Sequence, residues 1–181
     1  AGAALADGVV NIYSSRHYDN DESLYKGFTE ATGIEVNRIE ADADELIARL
    51  NAEGANSPAD VFLTVDAGRI WRADEAGLLQ AVDSELLNTR IPAHLRHPDG
   101  HWFGMSQRAR IIYYDKNDVE NPPRTYEDLA DPAYEGMVCI RSSSNVYNQS
   151  LMASLIDANG EEAAREWAKG VVKNMARDPQ G

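Results

Sequence analysis

Two tyrosines sit where short apolar runs give out. Tyr18 follows VVNIYS (residues 9–14) after Ser15-Arg16-His17, and Tyr147 follows MVCIR (137–141) after Ser142-Ser143-Ser144-Asn145-Val146. In open α/β sheets ligands bind at the carboxyl ends of strands, so phenols at two such ends are placed to serve a ligand. A phenolate oxygen is a hard, anionic donor and suits a small, highly charged cation such as Fe(III). With a solution pKa near ~10, a phenol gives up its proton at neutral pH only to a strongly polarising cation. From spacing alone a plainer reading stays open, in which each ring packs and each hydroxyl finds a hydrogen bond.

The elements that must place these residues alternate along the chain. VVNIYS, IEVNRI (34–39) and ADVFLTV (59–65) are short, β-branched and apolar, which predicts strands, the third covered on both faces. Between them SLYKGFTEAT predicts a helix capped by Asp19 or Asp21 and ended by Gly33, with Leu24, Phe28 and Ala31 on the inward face. ADELIARLNAEG predicts a second helix buried through Leu46, Ile47 and Leu50, and AGRIWRADEAG a third, shorter one. Residues 102–116 (WFGMSQRARIIYYDK) alternate like a long strand, 137–141 reads as another strand, and helices follow over 148–158 and 161–175. The second of these carries Ala164, Trp167, Ala168 and Val171 at helical spacing. This βαβα order predicts a mainly parallel α/β sheet, because each parallel crossover needs a helix. The pattern pauses near 101–116, where a link between two lobes is expected.

Composition narrows the function. Seventeen Lys and Arg against 30 Asp and Glu give a net charge of −13 over 181 residues, which repels nucleic acid and anionic lipid. Cys139 is the one cysteine, so no internal disulfide can form within these residues. No apolar run reaches the ~20 residues that span a bilayer. Ala4-Leu5-Ala6 before Asp7 has the small-x-small form of a signal-peptidase site, consistent with export. The G-x-S-x-G, H-E-x-x-H, G-x-x-x-x-G-K and G-x-G-x-x-G signatures are all missing. His94, His97 and His101 lack the spacing of two ligands on one helix face and read as loop residues. Ser142–Ser144 has no identifiable base and reads as a turn and helix cap.

The strings IYSSRHYD, PADVFLTVDAGRIWRADEAGLLQ, SQRARIIYYDK, YEGMVCIRSSSNVYNQSL and ARDPQG together resemble the ferric-iron-binding periplasmic proteins of bacterial ABC importers. More narrowly they are similar to the tyrosine-rich branch of cyanobacteria and marine bacteria. The resemblance runs from Val9 to Gly181, and SRHYD and RSSSNVYNQS are its most specific pieces. It implies a periplasmic-binding-protein-like α/β fold of two lobes joined by hinge crossover strands. Residues 1–8 would be an export-signal remnant or disordered N-terminus, 9–104 the first lobe, 105–115 the crossover strand and 116–181 the start of the second lobe. The chain would then be truncated at its C-terminus.

The resemblance implies an exported, monomeric periplasmic protein, not an enzyme, that captures Fe(III) between its lobes and hands it to a membrane permease. Tyr18 and His17 fall on the first-lobe ligand position, with Tyr18 favoured because hard Fe(III) prefers phenolate to imidazole. Tyr147 matches the tyrosine of the second lobe. Arg108 matches an arginine near the site, suited to offset phenolate charge or hold a carbonate. Ser144 and Asn145 match the stretch that holds such a synergistic anion, or else simply cap a helix. Where part of the family has a ligating glutamate, this chain has Val65-Asp66, so no ligand is assigned there. Two adjacent tyrosine ligands would lie beyond Gly181, and a disulfide partner of Cys139 would be lost with them. Tyr113-Tyr114 is no substitute, since neighbours on a strand face opposite ways, and reads as core and hinge packing. Rival readings are the same scaffold holding an oxyanion, polyamine or vitamin, an α/β enzyme with an unrecognised centre, and a redox role in which His17 matters more.

Overall fold

A computed structural model describes residues 8–16 and 18–180. The expected export remnant and the candidate ligand His17 therefore lie outside the described residues, save Gly8. The chain divides into two compact units, one ending at Met105 and the other beginning at Ser106.

The first unit is built on a parallel three-stranded sheet of order β2-β1-β3. Strand β1 (Val9–Ser14) pairs along its whole length with β2 (Glu35–Glu40), and through Ile12–Ser14 with β3 (Val61–Leu63). Being central, β1 sinks as it runs, from exposed Val9 to fully buried Tyr13 and Ser14. Strand β3 is an edge among the described residues and leaves Val61 exposed. It is not the strand covered on both faces that its apolar run suggests.

Helix α1 (Asp19–Thr32) has Tyr18 at its N-cap, with Asp19, Asp21 and Glu22 in the first turn where acidic charge suits the helix dipole. Neither Asp19 nor Asp21 caps it, because Asp21 is taken by Arg16. Gly33 closes it at φ 77°, donating to the carbonyl of Thr29. The stripe Leu24, Phe28 and Ala31 faces outward, with Leu24 69% exposed. The covered face instead carries Asp21, Tyr25, Thr29 and Thr32, and Arg38 of β2 stacks on the Tyr25 ring while pairing with Glu22. A guanidinium reaching over from the strand thus overrides the apolar stripe.

Helix α2 (Ala43–Glu53) follows its sequence pattern. Asp42 caps it by accepting from the Asp44 N–H at 3.0 Å, and Leu46 and Leu50 pack on Tyr13, with Ile47 half-buried. The buried Tyr13 hydroxyl donates toward both Glu53 carboxylate oxygens at 2.9 Å, and Glu53 also accepts from Arg49 Nε and Ser57 Oγ. Burial first, and the Glu53 hydrogen bond second, hold this phenol above its ordinary range.

Helices α3 (Ala67–Glu75) and α4 (Glu85–Arg90) complete the unit, followed by a tight turn in which Arg96 bridges Phe103. Gly100 sits in that turn at φ 78°, and a Cβ there would lie 2.6 Å from the Val82 carbonyl oxygen. Only glycine fits such a position.

In the second unit α5 (Val146–Asn159) and α6 (Glu161–Asn174) pack through Leu151, Leu155 and Ala164, with Trp167 against the same cluster. Buried Asn174 donates to the carbonyls of Leu129 and Asp131, tying α6 to the 3-10 turns Glu127–Ala130 and Pro132–Tyr134. Residues 137–141 form only isolated parallel bridges, Val138 to Met175 and Arg141 to Gln180, rather than a strand. Residues 104–116 form no strand either, and no strand ladder is formed along them among the described residues. Tyr113 is accordingly 87% exposed and Tyr114 exposed, so neither is core packing, and the pleat argument about them lapses.

Leu46→Ala should lower the unfolding free energy of this protein by about 2–5 kcal/mol in urea titrations, while Leu24→Ala should change it by less than ~0.5 kcal/mol. Equal losses at both positions would contradict the orientation of α1.

Candidate functional site

Tyr18 emerges two residues beyond Arg16, just past the buried end of β1, and is half exposed at the start of α1. The Arg16 guanidinium lies 5.0 Å from the centre of its ring. Arg16 is itself clamped, its Nε and Nη2 donating to the two Asp21 oxygens at 2.9 and 3.0 Å, while its backbone N–H donates to Ser14 Oγ. A planar guanidinium held along one edge by a two-point pair with a carboxylate has little freedom to turn, so it keeps its place over the phenol ring. The Arg16 hydrogen bonds hold the buried Asp21 carboxyl below its ordinary range, against the opposing effect of burial.

Tyr147 lies in the first turn of α5. Asn145 caps that helix, its Oδ1 accepting from the Tyr147 N–H at 3.0 Å. Guanidiniums stand over the ring from two residues, Arg110 at 5.0 Å and Arg141 at 5.5 Å. Arg110 also donates to the Tyr147 carbonyl and offers its own carbonyl to the Tyr126 hydroxyl. Ser144 is hydrogen-bonded to Ser142 through their hydroxyls at 2.8 Å, and its N–H donates to the same Ser142 oxygen. Ser142, Ser144, Asn145 and Tyr147 thus gather at one helix start. Arg108 is exposed in the segment before Arg110. Tyr18 belongs to the first unit and Tyr147 to the second.

Sequence reasoning named the phenols and missed the arginines that hold them. Arg16, Arg110 and Arg141 carry no spacing signal toward their tyrosines, except that Arg16 is two residues from Tyr18. Two of the loop histidines, read correctly as loop residues, are brought together by contacts that their spacing does not show. The rings of His97 and His101 stack with centroids 4.5 Å apart and planes within 1°, and both reach Asp74 near the end of α3. His94 is exposed and takes no part in that group. Asp66, left unassigned, caps α3 by accepting from the Gly68 N–H. Cys139 is exposed as a free thiol.

Residues 56–179 match the family model described as bacterial extracellular solute-binding protein. Over 95% of its length the chain is 60% identical to iron uptake protein A1 of Synechocystis, covering 48% of that relative. It is 32% identical to the Fe(3+)-binding periplasmic protein of Serratia marcescens, over 97% of this chain and 52% of the relative. Among solved structures it is similar, with a TM-score of 0.90 and 59% identity, to a Trichodesmium protein (IdiA, FutA) in complex with iron and citrate ligands. That alignment covers 96% of this chain and 55% of the other. The chain spans about half the length of the curated relatives it matches. These likenesses bear out the periplasmic-binding-protein-like fold.

Because Asp21 ionises more readily in the folded state, its contribution to stability is complete above the unfolded carboxyl pKa of ~3.9 and fades as pH falls through the lower folded value. Asp21→Asn should therefore be less stable than the parent at pH 7, with the gap narrowing toward pH 3 in urea midpoints. A gap that is constant with pH would show that the carboxylate charge is not what holds Arg16.

Proposed function

The chain belongs to the bacterial extracellular solute-binding protein family, and from that premise we propose that it captures Fe(III) with Tyr18 and Tyr147 for delivery to an ABC importer. The observation that carries this reading is the matched treatment of the two phenols. Each stands at the start of a helix and each has a guanidinium 5.0 Å from its ring centre. Relatives named for iron uptake and Fe(3+) binding support the choice of ion.

The two tyrosines come from the two units, so a single ion bound by both closes one unit toward the other, as a hinged trap closes on its ligand. The lobes are read as 9–104 and from 116 onward, with 105–115 as the hinge. Fe(III) displaces the phenolic protons of Tyr18 and Tyr147 to solvent, and the anionic oxygens stay on the ion. Remaining positions fall to His17, to an anion, or to donors outside these residues. Carbonate is the proposed anion, held by Ser144, Asn145 and the Arg108 fork. The net charge of −13 favours approach of a cation over an anionic solute. The protein works in the periplasm as a monomer, and its macromolecular partner is the permease.

Titrating the complete gene product with ferric citrate should produce a visible phenolate-to-iron charge-transfer band that saturates at one ion per protein. Tyr147→Phe should weaken binding by orders of magnitude. A colourless protein, or a Tyr147→Phe variant that binds as tightly as the parent, would refute the iron reading and turn attention to oxyanion, polyamine or vitamin ligands on the same scaffold.

A further inference from the structure

A second set of donors lies in the first unit, at the other end of α3 from its Asp66 cap. Asp74 lies eight positions on from the Asp66 cap, roughly 12 Å along the axis. There Asp74 Oδ1 lies 2.6 Å from His101 Nδ1 and Asp74 Oδ2 3.2 Å from His97 Nε2. One donor atom from each of the three residues can be chosen so that all lie within 4.8 Å of one another. We propose that Asp74, His97 and His101 bind a borderline divalent transition-metal ion, of which zinc(II) is the representative.

The backbone around the group is built to bring two imidazoles to one carboxylate. The His97 N–H donates to the Trp102 carbonyl and the Gly100 N–H to the His97 carbonyl, folding residues 97–102 into a closed turn. Gly100 allows that turn to press against the Val82 backbone, and the Trp102 ring meets His97 edge-on at 5.9 Å. All three donors are partly buried, with Asp74 the most enclosed. Two imidazoles and one carboxylate are the donor set that zinc, copper and nickel accept, and they leave positions for water. Hard Fe(III) is better served by the phenols, so the two sets of donors select different ions. The inference stands whether or not the tyrosines bind iron.

One Asp74 oxygen reaches the edge of each stacked ring, Oδ2 at His97 Nε2 and Oδ1 at His101 Nδ1. His97 Nδ1 accepts from the Asp99 N–H at 3.1 Å, which puts the ring hydrogen on Nε2, facing Asp74. Ligation through Nε2 moves that hydrogen to Nδ1 and gives up the Asp99 bond. The rings must also rotate out of their parallel stack, since in-plane lone pairs of parallel rings do not converge on a point. Metal uptake therefore reshapes the 97–101 turn, and the Asp99 amide should report it.

The test is calorimetric titration of the 181-residue chain with zinc chloride alone, with amide NMR spectra recorded at the end points. One saturable site of micromolar affinity is expected, with a shift of the Asp99 amide signal. Asp74→Asn, His97→Ala and His101→Ala should each weaken binding at least ~10-fold. His94→Ala and the double variant Tyr18→Phe/Tyr147→Phe should bind as the parent does. Should Asp74→Asn fail to fold, His101→Gln decides, because it keeps a hydrogen-bond donor near Asp74 but offers no imidazole. No saturable uptake at millimolar zinc, or uptake that survives His101→Gln, would overturn the proposal and leave the three residues as a hydrogen-bonded clasp.

Discussion

The first unit depends on what a buried phenol demands. Tyr13 is 1% exposed, and a hydroxyl taken that far from water must be paired or cost on the order of 1–3 kcal/mol. Glu53 answers it from the end of α2, and Arg49 and Ser57 in turn hold Glu53 in place. That network fixes α2 against β1 and buries Leu46 and Leu50 on the tyrosine ring. With β1 pinned at its carboxyl end, the chain leaves at one defined place, and Arg16 and Tyr18 are carried there.

The protein uses one device repeatedly, a guanidinium laid on a tyrosine. Arg49 covers Tyr13 and Arg38 covers Tyr25, where both rings belong to the packing of the first unit. Arg16 covers Tyr18, and Arg110 with Arg141 covers Tyr147, where the rings are half open to solvent. The contact restricts the ring from one face. An arginine so used needs an anchor of its own. Asp21 is that anchor for Arg16, and the Tyr147 carbonyl is one for Arg110.

The parts of this arrangement that were legible in sequence are those written in local periodicity. Strand β1, helix α2 with Leu46 and Leu50, and helix α6 with Ala164 and Val171 fall where their patterns place them, because burial and period agree there. Helix α1 was misread at its inward face, since Leu24 and Phe28 have the right spacing but the strand beside them offers an arginine and not an apolar surface. Residues 104–116 alternate like a strand, yet alternation describes only which way side chains would point. A strand also needs a neighbour to complete its ladder. The tyrosines could be picked out by position and by resemblance, but the arginines on their rings depend on tertiary distances that no spacing encodes. Asp74 is 23 residues before His97 in the chain, so nothing local joins them.

Asp66 holds the one positive φ outside glycine among the described residues, at 73°. A side chain there costs about 1–3 kcal/mol of backbone strain. The same side chain caps α3 through the Gly68 N–H, a contribution of similar size, ~0.5–2 kcal/mol. The residue that carries the strain is therefore the one whose side chain starts the helix. The carboxylate just past the end of β3 thus offsets, through the helix it starts, part of the strain of its own backbone.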